Sequence, residues 1–158
     1  MDRTKVYPGH QVIEMGLVKL YMATGEKKYL DLARFFLDVR GPDGAQYNQA
    51  NKKAVDQTIA VGHSVRATYM YSGMADIAAI EKDEAYLNAI TKIWKDIVYY
   101  KMYITGGIGA SGGNEGFADP YVLPNMTAYC ETCASIGDIF LNHRLFLLHG
   151  QSKYIDIL

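Results

Sequence analysis

Cysteine is scarce in this 158-residue sequence, which contains only Cys130 and Cys133. Two cysteines cannot build the disulfide framework of a small secreted domain, so a reducing compartment is expected. Long apolar runs are absent as well, because charged residues interrupt every helical stretch, and no bilayer-spanning helix is expected. Residues 1–5 lead into no apolar signal segment, which predicts a cytoplasmic protein.

Charge of one sign is also lacking, since the formal net charge is −1. Neither nucleic acid nor an anionic membrane is therefore expected as a partner. The length and the 49% hydrophobic content suffice for one domain with a real core. Thirteen tyrosines against five phenylalanines are a marked bias, which suits either a carbohydrate cleft or wet helix interfaces.

Amphipathic helical patterns dominate and come in pairs, so the predicted fold class is all-α. Apolar stripes predict a first helix that ends at Thr24 and a second that ends before Arg40. A third helix is predicted over residues 59–80, and a fourth follows Asp83, a plausible N-cap.

A fifth helix is predicted after a long loop over residues 105–124, with His149 and Gly150 closing it. Its apolar side is expected to carry Ile136, Phe140, His143 and Leu147, with His143 in a core role. Ser152 could cap a sixth helix. The sequence stops soon after that start, so we expect residues 1–158 to form a single partial domain that is truncated at its C-terminus.

The second helix of each pair opens with a similar phrase, which indicates an internal repeat. The phrases centre on Tyr29, Tyr86 and Tyr154, in steps of 57 and 68 residues. A helical solenoid for protein binding would give such a pattern, and so would a toroid of helical hairpins. Because the helices are long and the repeat irregular, we favour the toroid. Three hairpins would form about half of an (α/α)6 barrel.

In such an array the first helices of all pairs run parallel, so their N-terminal ends share one rim. Unusual polar residues gather at those ends: His10 in the first pair, His63 in the second, and Glu131 in the third. The loop carrying Glu115 enters the third pair from the same rim. A rim of helix N-termini with such side chains is a reasonable mouth of an active site.

Glu115 follows a loop with five glycines between residues 106 and 113. Such a loop can approach a ligand closely or move as a lid, and a carboxylic acid at its tip could serve as a general acid/base. A flexible surface loop with a solvated glutamate explains the same residues equally well. No Gly-Lys-Ser/Thr sequence follows, which excludes a phosphate-binding loop.

The run from Cys130 to Cys133 has three interpretations. A redox pair is possible at a helix start, although no βαβ pattern surrounds it. Buried structural thiols need no further explanation. As zinc ligands, Glu131 and Cys133 would supply a carboxylate and a thiolate, but only if they lie at the first turn of the helix, and at least one further ligand is needed.

Four segments in order resemble glycoside hydrolase family 127, the β-L-arabinofuranosidases. They are Tyr7-Pro8-Gly9-His10-Gln11, Ala60-Val61-Gly62-His63-Ser64-Val65-Arg66-Ala67, Lys101-Met102-Tyr103-Ile104-Thr105-Gly106-Gly107-Ile108-Gly109 and Tyr129-Cys130-Glu131-Thr132-Cys133-Ala134. The resemblance implies an (α/α)6 barrel, of which this sequence would cover the middle.

The resemblance also implies roles. Glu115 matches the acid/base, His63 a sugar-contacting histidine, and Glu131 with Cys133 two ligands of a Zn²⁺ cofactor. The family's nucleophile is a zinc-held thiolate from an adjacent Cys-Cys pair, which this sequence does not contain. Asn51 stands where the family has His, and Lys53 where it has Pro, and these two departures bear on the sugar preference. Cys130 stands where the family has a small apolar residue.

The sequence therefore predicts a fragment of a retaining glycoside hydrolase that acts on β-L-arabinofuranosides or related plant-glycan sugars. Alone, the chain is expected to show no turnover and to bind zinc weakly. Uncovered apolar faces of an open barrel predict self-association. The alternative is a helical-repeat binding module in which the cysteines and glutamates are structural.

Overall fold

The computed structural model describes residues 6–158, and within them regular structure is helical, with only isolated β-bridges besides. The five α-helices are α1 (Ile13–Thr24), α2 (Lys27–Asp38), α3 (Ser64–Glu81), α4 (Glu84–Asp96) and α5 (Thr132–His149). A π-helical turn, Ile97–Lys101, continues α4. The all-α prediction is confirmed. Residues 1–5, on which the absence of a signal segment was argued, lie outside the described residues.

The helix ends follow the predicted signals in most places. Gly25, with φ 72°, ends α1, and Gly150, with φ 65°, ends α5, because a left-handed residue lets its N–H reach back to the last turn. The Asp83 carboxylate accepts hydrogen bonds from the backbone of Ala85 and Tyr86 at 3.0 and 3.3 Å, which makes it the N-cap of α4.

Helices α3 and α5 run parallel and in register. A Cβ on Gly137 would lie 2.1 Å from Oγ1 of Thr68, near the start of both helices. Two turns further on, the Arg144 Nε donates to Asp76 at 2.8 Å. Glycine at 137 therefore allows the two helices to approach closely.

Helix α1 lies beside α3 in the same direction. The His10 ring is 6.1 Å from the Tyr69 ring, and one turn along, a Cβ on Gly73 would lie 3.0 Å from Glu14. The first helices of the three pairs are thus parallel, as the repeat predicts. Their starts share one end of the molecule, while α2 and α4 pack against them around a core that includes Tyr86 and Trp94.

The predicted start of the third helix at residue 59 is wrong, since α3 begins at Ser64. Residues 60–62 are irregular and buried, and side chains satisfy their backbone groups in place of helical bonds. Asp96 accepts from the Ala60 N–H at 2.8 Å, and Lys101 donates to the Ala60 carbonyl at 2.7 Å. Ile59 points to solvent.

The predicted apolar side of the fifth helix is the exposed side. Leu147 is 69% exposed, and His143, for which a core role was predicted, is also exposed. The buried side combines small, polar and leucine side chains, with Gly137 at a close approach to α3: Ala134, Gly137, Asp138, Leu141, Asn142 and Leu145.

The sixth helix is only a short 3₁₀ turn, Ser152–Tyr154, and Gln151 rather than Ser152 occupies its N-cap position. Tyr154 is buried against Trp94, with ring centroids 4.8 Å apart. His149 is the last helical residue and stacks on Tyr154 at 5.6 Å, while Gly150 forms the C-cap. Among residues 6–158, no helix combines the length and apolarity needed to cross a bilayer.

A buried carboxyl group on α5 should make the stability depend on pH. Burial raises the pKa of Asp138 from 3.8 to about 7, partly offset by a hydrogen bond from Asn142. The folded state thus holds this proton more tightly than the unfolded chain, and the free energy of unfolding falls as pH rises between those two values, by at most about 4 kcal/mol. Asp138→Asn should flatten this fall in urea titrations at pH 5 and pH 8.

The exposed Asp119→Asn provides the control, because it removes a carboxyl group that is in contact with solvent in the folded chain. Equal pH slopes in wild type and Asp138→Asn would show that Asp138 is ionised without penalty.

Candidate active site

The pair His63–Glu115 forms the centre of the rim. The Nε2 atom of His63 lies 3.0 Å from Oε2 of Glu115. The His63 side chain is 9% exposed, whereas that of Glu115 is 45% exposed, so the carboxyl group faces the opening and the imidazole supports it from below. His63 is also the N-cap of α3, where its Nδ1 accepts from the Arg66 N–H at 3.4 Å.

The backbone of Glu115 is held by the start of α3. The Ser64 N–H and the Ser64 hydroxyl both donate to the Glu115 carbonyl oxygen, each at 3.0 Å. Glu115 adopts φ 50°, a left-handed conformation that a glutamate seldom adopts without such constraints. Its side-chain position is therefore set by the fold.

The glycine-rich loop is closely packed against the rest of the protein at some of its glycines and open at others. A Cβ on Gly109 would lie 2.5 Å from the Ser64 hydroxyl, and one on Gly116 would lie 2.0 Å from the Gly62 carbonyl oxygen. Gly109 thus allows the loop backbone to pack on the Ser64 side chain, and Gly116 allows it to pack on the backbone of Gly62. Gly106 and Gly113 have open space around them and place no such constraint on the loop.

Glu131 completes a cluster with His63 and Glu115. One ligand atom from each of the three residues lies within 4.8 Å of the others. The Oε2 atom of Glu131 is buried and accepts no hydrogen bond from the described residues, while Oε1 lies 3.4 Å from the Tyr129 hydroxyl. A buried carboxylate oxygen without a partner is a free position for a cation or a donor.

Glu131 and Cys133 meet the geometric condition for shared ligands. Glu131 is the extended N-cap residue of α5, and Cys133 is in the first turn. Burial raises the pKa of the Cys133 thiol, and the adjacent Glu131 carboxylate raises it further. A carboxylate and a thiol side by side suit Zn²⁺, whose charge would reverse both effects. The chain thus provides two donors that fit zinc.

Three further side chains surround the His63 ring. The Tyr47 ring stands edge-on to it at 5.4 Å, and the His10 ring lies 6.3 Å away. Burial lowers the pKa of His10, and nearby Arg66 and His63 lower it further. The Arg66 guanidinium lies 5.2 Å from the Tyr47 ring and donates to the Gly9 carbonyl. Sequence reasoning found His10 but missed Tyr47.

Asn51 and Lys53 occupy the loop before α3. Asn51 lines a small cavity with Gln57 and Val61, and its Oδ1 atom is buried without a partner among the described residues. Lys53 is exposed and precedes a 3₁₀ turn, Ala54–Asp56. Cys130 adopts φ 42° and donates its N–H to the Gly109 carbonyl at 3.0 Å, so it anchors the glycine-rich loop.

The first helices of the three pairs run parallel and bring two carboxyl groups and an imidazole together at one rim, which is the arrangement of a partial helical barrel. The chain belongs to glycoside hydrolase family GH127. The family model described as "Beta-L-arabinofuranosidase, GH127 catalytic domain" matches residues 2–158. The resemblance seen in the sequence is thereby confirmed.

Known relatives agree with that assignment. The chain is 35% identical to a non-reducing end β-L-arabinofuranosidase of Bifidobacterium longum subsp. longum, over 95% of this chain and 26% of that protein. A solved GH127 β-arabinofuranosidase is 62% identical with a TM-score of 0.94, over 97% of this chain and 24% of that one. A GH127 β-L-arabinofuranosidase from Geobacillus stearothermophilus T6 is 40% identical, also with a TM-score of 0.94, over 97% and 27%.

The chain therefore spans about a quarter of the length of these relatives.

Proposed function

We propose that the chain is part of the catalytic domain of a retaining glycoside hydrolase that acts on β-L-arabinofuranosides or related plant-glycan sugars. The observation that carries the proposal is the Glu115 carboxyl group, half exposed at the mouth and held 3.0 Å from His63. The relatives named as β-L-arabinofuranosidases support the substrate class.

In this proposal Glu115 delivers the proton that the departing sugar oxygen needs. Its exposed carboxyl can reach a glycosidic oxygen above the rim, and it can later take a proton from the attacking water. His63 stays fixed below it by its contact with Glu115 and by its position as N-cap of α3. The imidazole can then hold either the carboxyl group or a sugar hydroxyl in place.

The chemistry also calls for a nucleophile on the opposite side of the sugar ring. Zinc, when bound, would keep a coordinated cysteine thiolate deprotonated at neutral pH. Glu131 and Cys133 would hold the metal, and the adjacent Cys-Cys pair expected of the family is not among these 158 residues. We therefore expect the 158-residue chain alone to have no turnover.

The assay is the release of L-arabinose from an aryl β-L-arabinofuranoside by the purified chain, with and without added zinc. No release above an enzyme-free blank is the expected result. Zinc-dependent turnover by the chain alone would mean that Cys130 or Cys133 can act as the nucleophile.

Zinc binding by the chain should be weak and should depend on Cys133. Because the thiol must lose its proton and its pKa is raised, affinity should increase as pH rises. Isothermal titration with Zn²⁺ should show that Cys133→Ser removes the binding. Cys130→Ser is the matched control and should change little. Equal affinity in both variants would place the metal elsewhere.

The exposed side of α5 favours a second candidate, a binding module without catalysis. Ile136, Ile139 and Leu147 form an apolar stripe on that side. We propose that this stripe also causes the chain to self-associate at high concentration, which sedimentation of wild type and Leu147→Lys would test. In a longer, active protein that contains these residues, alanine at Glu115 separates the candidates, since only a glycosidase would lose activity. We also propose a cytoplasmic location, because the free thiols of Cys130 and Cys133 fit a reducing compartment.

A further inference from the structure

We propose that Gln49 is a positioning residue that fixes His63, and through it Glu115, from beneath the rim. The predicted effect of Gln49 on catalysis rests on the proposed function above. The geometry itself does not, because it concerns how one buried amide holds the backbone that carries the imidazole.

Gln49 is fully buried and adopts φ 54°, the left-handed region that glutamine seldom enters. Its own carbonyl oxygen accepts a hydrogen bond from the Gln57 amide at 2.8 Å. A long polar side chain in such a conformation, with no access to water, is retained only where its hydrogen bonds have partners.

The Gln49 amide nitrogen lies within hydrogen-bond distance of three backbone carbonyl oxygens. These belong to Tyr47 at 3.1 Å, Val61 at 2.8 Å and His63 at 3.2 Å. An amide group has two N–H donors, so they are shared among these three acceptors. One side chain thereby joins the loop that carries Tyr47 to the irregular segment that ends at His63.

The orientation of this amide is fixed from α1. The Gln11 amide nitrogen donates to Oε1 of Gln49 at 2.5 Å and to the Asn48 carbonyl at 2.8 Å. Because Gln11 has to donate there, the oxygen of Gln49 must face Gln11, and its nitrogen must face residues 61–63. The starts of α1 and α3 are thus coupled through two buried glutamines.

The segment that Gln49 holds, residues 61–63, is also fixed by contacts on both of its sides. The His63 N–H donates to the Tyr47 carbonyl at 3.1 Å, and a Cβ on Gly62 would lie 2.2 Å from the Gln46 carbonyl oxygen. On the other side, the Gly62 carbonyl accepts from the Phe117 N–H at 3.0 Å. A shift of this segment would therefore move both the imidazole and the strand-like stretch that follows Glu115.

The test compares Gln49→Met with Gln57→Met in the full 158-residue chain. Methionine keeps the length of the side chain and removes the amide. Gln57 is also a buried glutamine, but it donates to the carbonyls of Gln49 and Lys52 and not to residues 61–63. Both variants lose a buried amide, so a purely structural role should affect them alike.

The readout is the imidazole ¹⁵N–¹H spectrum, in which His143 and His149 serve as internal references. With Gln49→Met, the His63 signals should shift or broaden while both references remain unchanged. Gln57→Met should keep the wild-type His63 signals at a similar loss of stability. In an active enzyme with these residues, Gln49→Met should lower kcat by about 10- to 100-fold at little cost in KM.

His63 signals that are unchanged in Gln49→Met, or equally changed in Gln57→Met, would overturn the proposal. Should Gln49→Met fail to fold, Gln11→Met decides, because it keeps the Gln49 amide and removes the Gln11 donor that orients it, together with the Gln11 bond to the Asn48 carbonyl. A smaller change of the His63 signals in the same direction supports the proposal, and unchanged signals refute it. If the glycosidase assignment is wrong, the predicted changes in the His63 spectra should still be observed. Only the predicted decrease in kcat would then fail.

Discussion

In an active enzyme that contains these residues, Glu115→Gln should lower kcat/KM for an alkyl β-L-arabinofuranoside by about 10²- to 10⁴-fold. Glutamine keeps the size of the side chain but cannot give up a proton to the departing oxygen, and positioned proton transfer contributes a factor of that order. The backbone bonds from Ser64 to residue 115 remain, so the fold should be unaffected.

The loss should depend on the leaving group. A nitrophenolate departs without much help from an acid, so nitrophenyl substrates should lose far less activity than alkyl ones. Asp119→Asn is the matched control, since it removes a carboxyl group from the same loop at an exposed position. Equal losses on both substrates would show that Glu115 acts in binding or folding and not as the acid.

The largest effect on stability is expected from Arg40→Met. Arg40 and Glu14 are both fully buried, with Nη2 and Oε1 3.1 Å apart, and the guanidinium packs on the Tyr7 ring at 4.5 Å. Removing the arginine leaves Glu14 charged and unpaired in the interior, which costs about 3–5 kcal/mol. That is a large share of the stability of a domain of this size.

Urea denaturation of the purified chain measures this cost. Arg34→Met is the control, because Arg34 pairs with Glu81 and Asp83 near the surface and should lose only about 1 kcal/mol. The double variant Glu14→Leu/Arg40→Met should recover much of the loss, since it leaves no isolated charge. A loss in Arg40→Met no larger than in Arg34→Met would contradict this account of the buried pair.

The sequence predicted the fold class and the shared rim because their signals are local. Gly25, Asp83 and Gly150 mark helix ends through backbone preferences that do not depend on distant contacts. The order of helices then places their N-termini together. The meeting of His63, Glu115 and Glu131 at one rim follows from that arrangement, while their roles remain predictions.

The errors arose where tertiary contacts override periodicity. Ile136 and Leu147 have helical spacing and are apolar, yet they face outward, because close contact of α5 with α3 needs Gly137 on the inner side. The start of α3 was misplaced because Val61 is buried in irregular chain, where apolar residues resemble one more helical turn.

The buried polar network was missed for a similar reason. Gln11, Glu14 and Gln49 look like surface residues in a sequence, yet Gln11 pairs with Gln49 38 positions away and Glu14 pairs with Arg40 26 positions away. A glutamate on the apolar stripe of α1 was the one available signal, since Glu14 lies one turn before Val18. Long-range pairing of this kind cannot be read from local pattern.

The most direct test of the central claim is to map sugar binding on the chain. Methyl β-L-arabinofuranoside would be added to ¹⁵N-labelled protein, and the backbone amide shifts would be followed. If the rim is the site, changes should concentrate at Gly9–Gln11, Gly62–Arg66, Glu115–Gly116 and Tyr129–Cys133. Saturable shifts confined to another surface, with these residues unperturbed, would contradict the assignment.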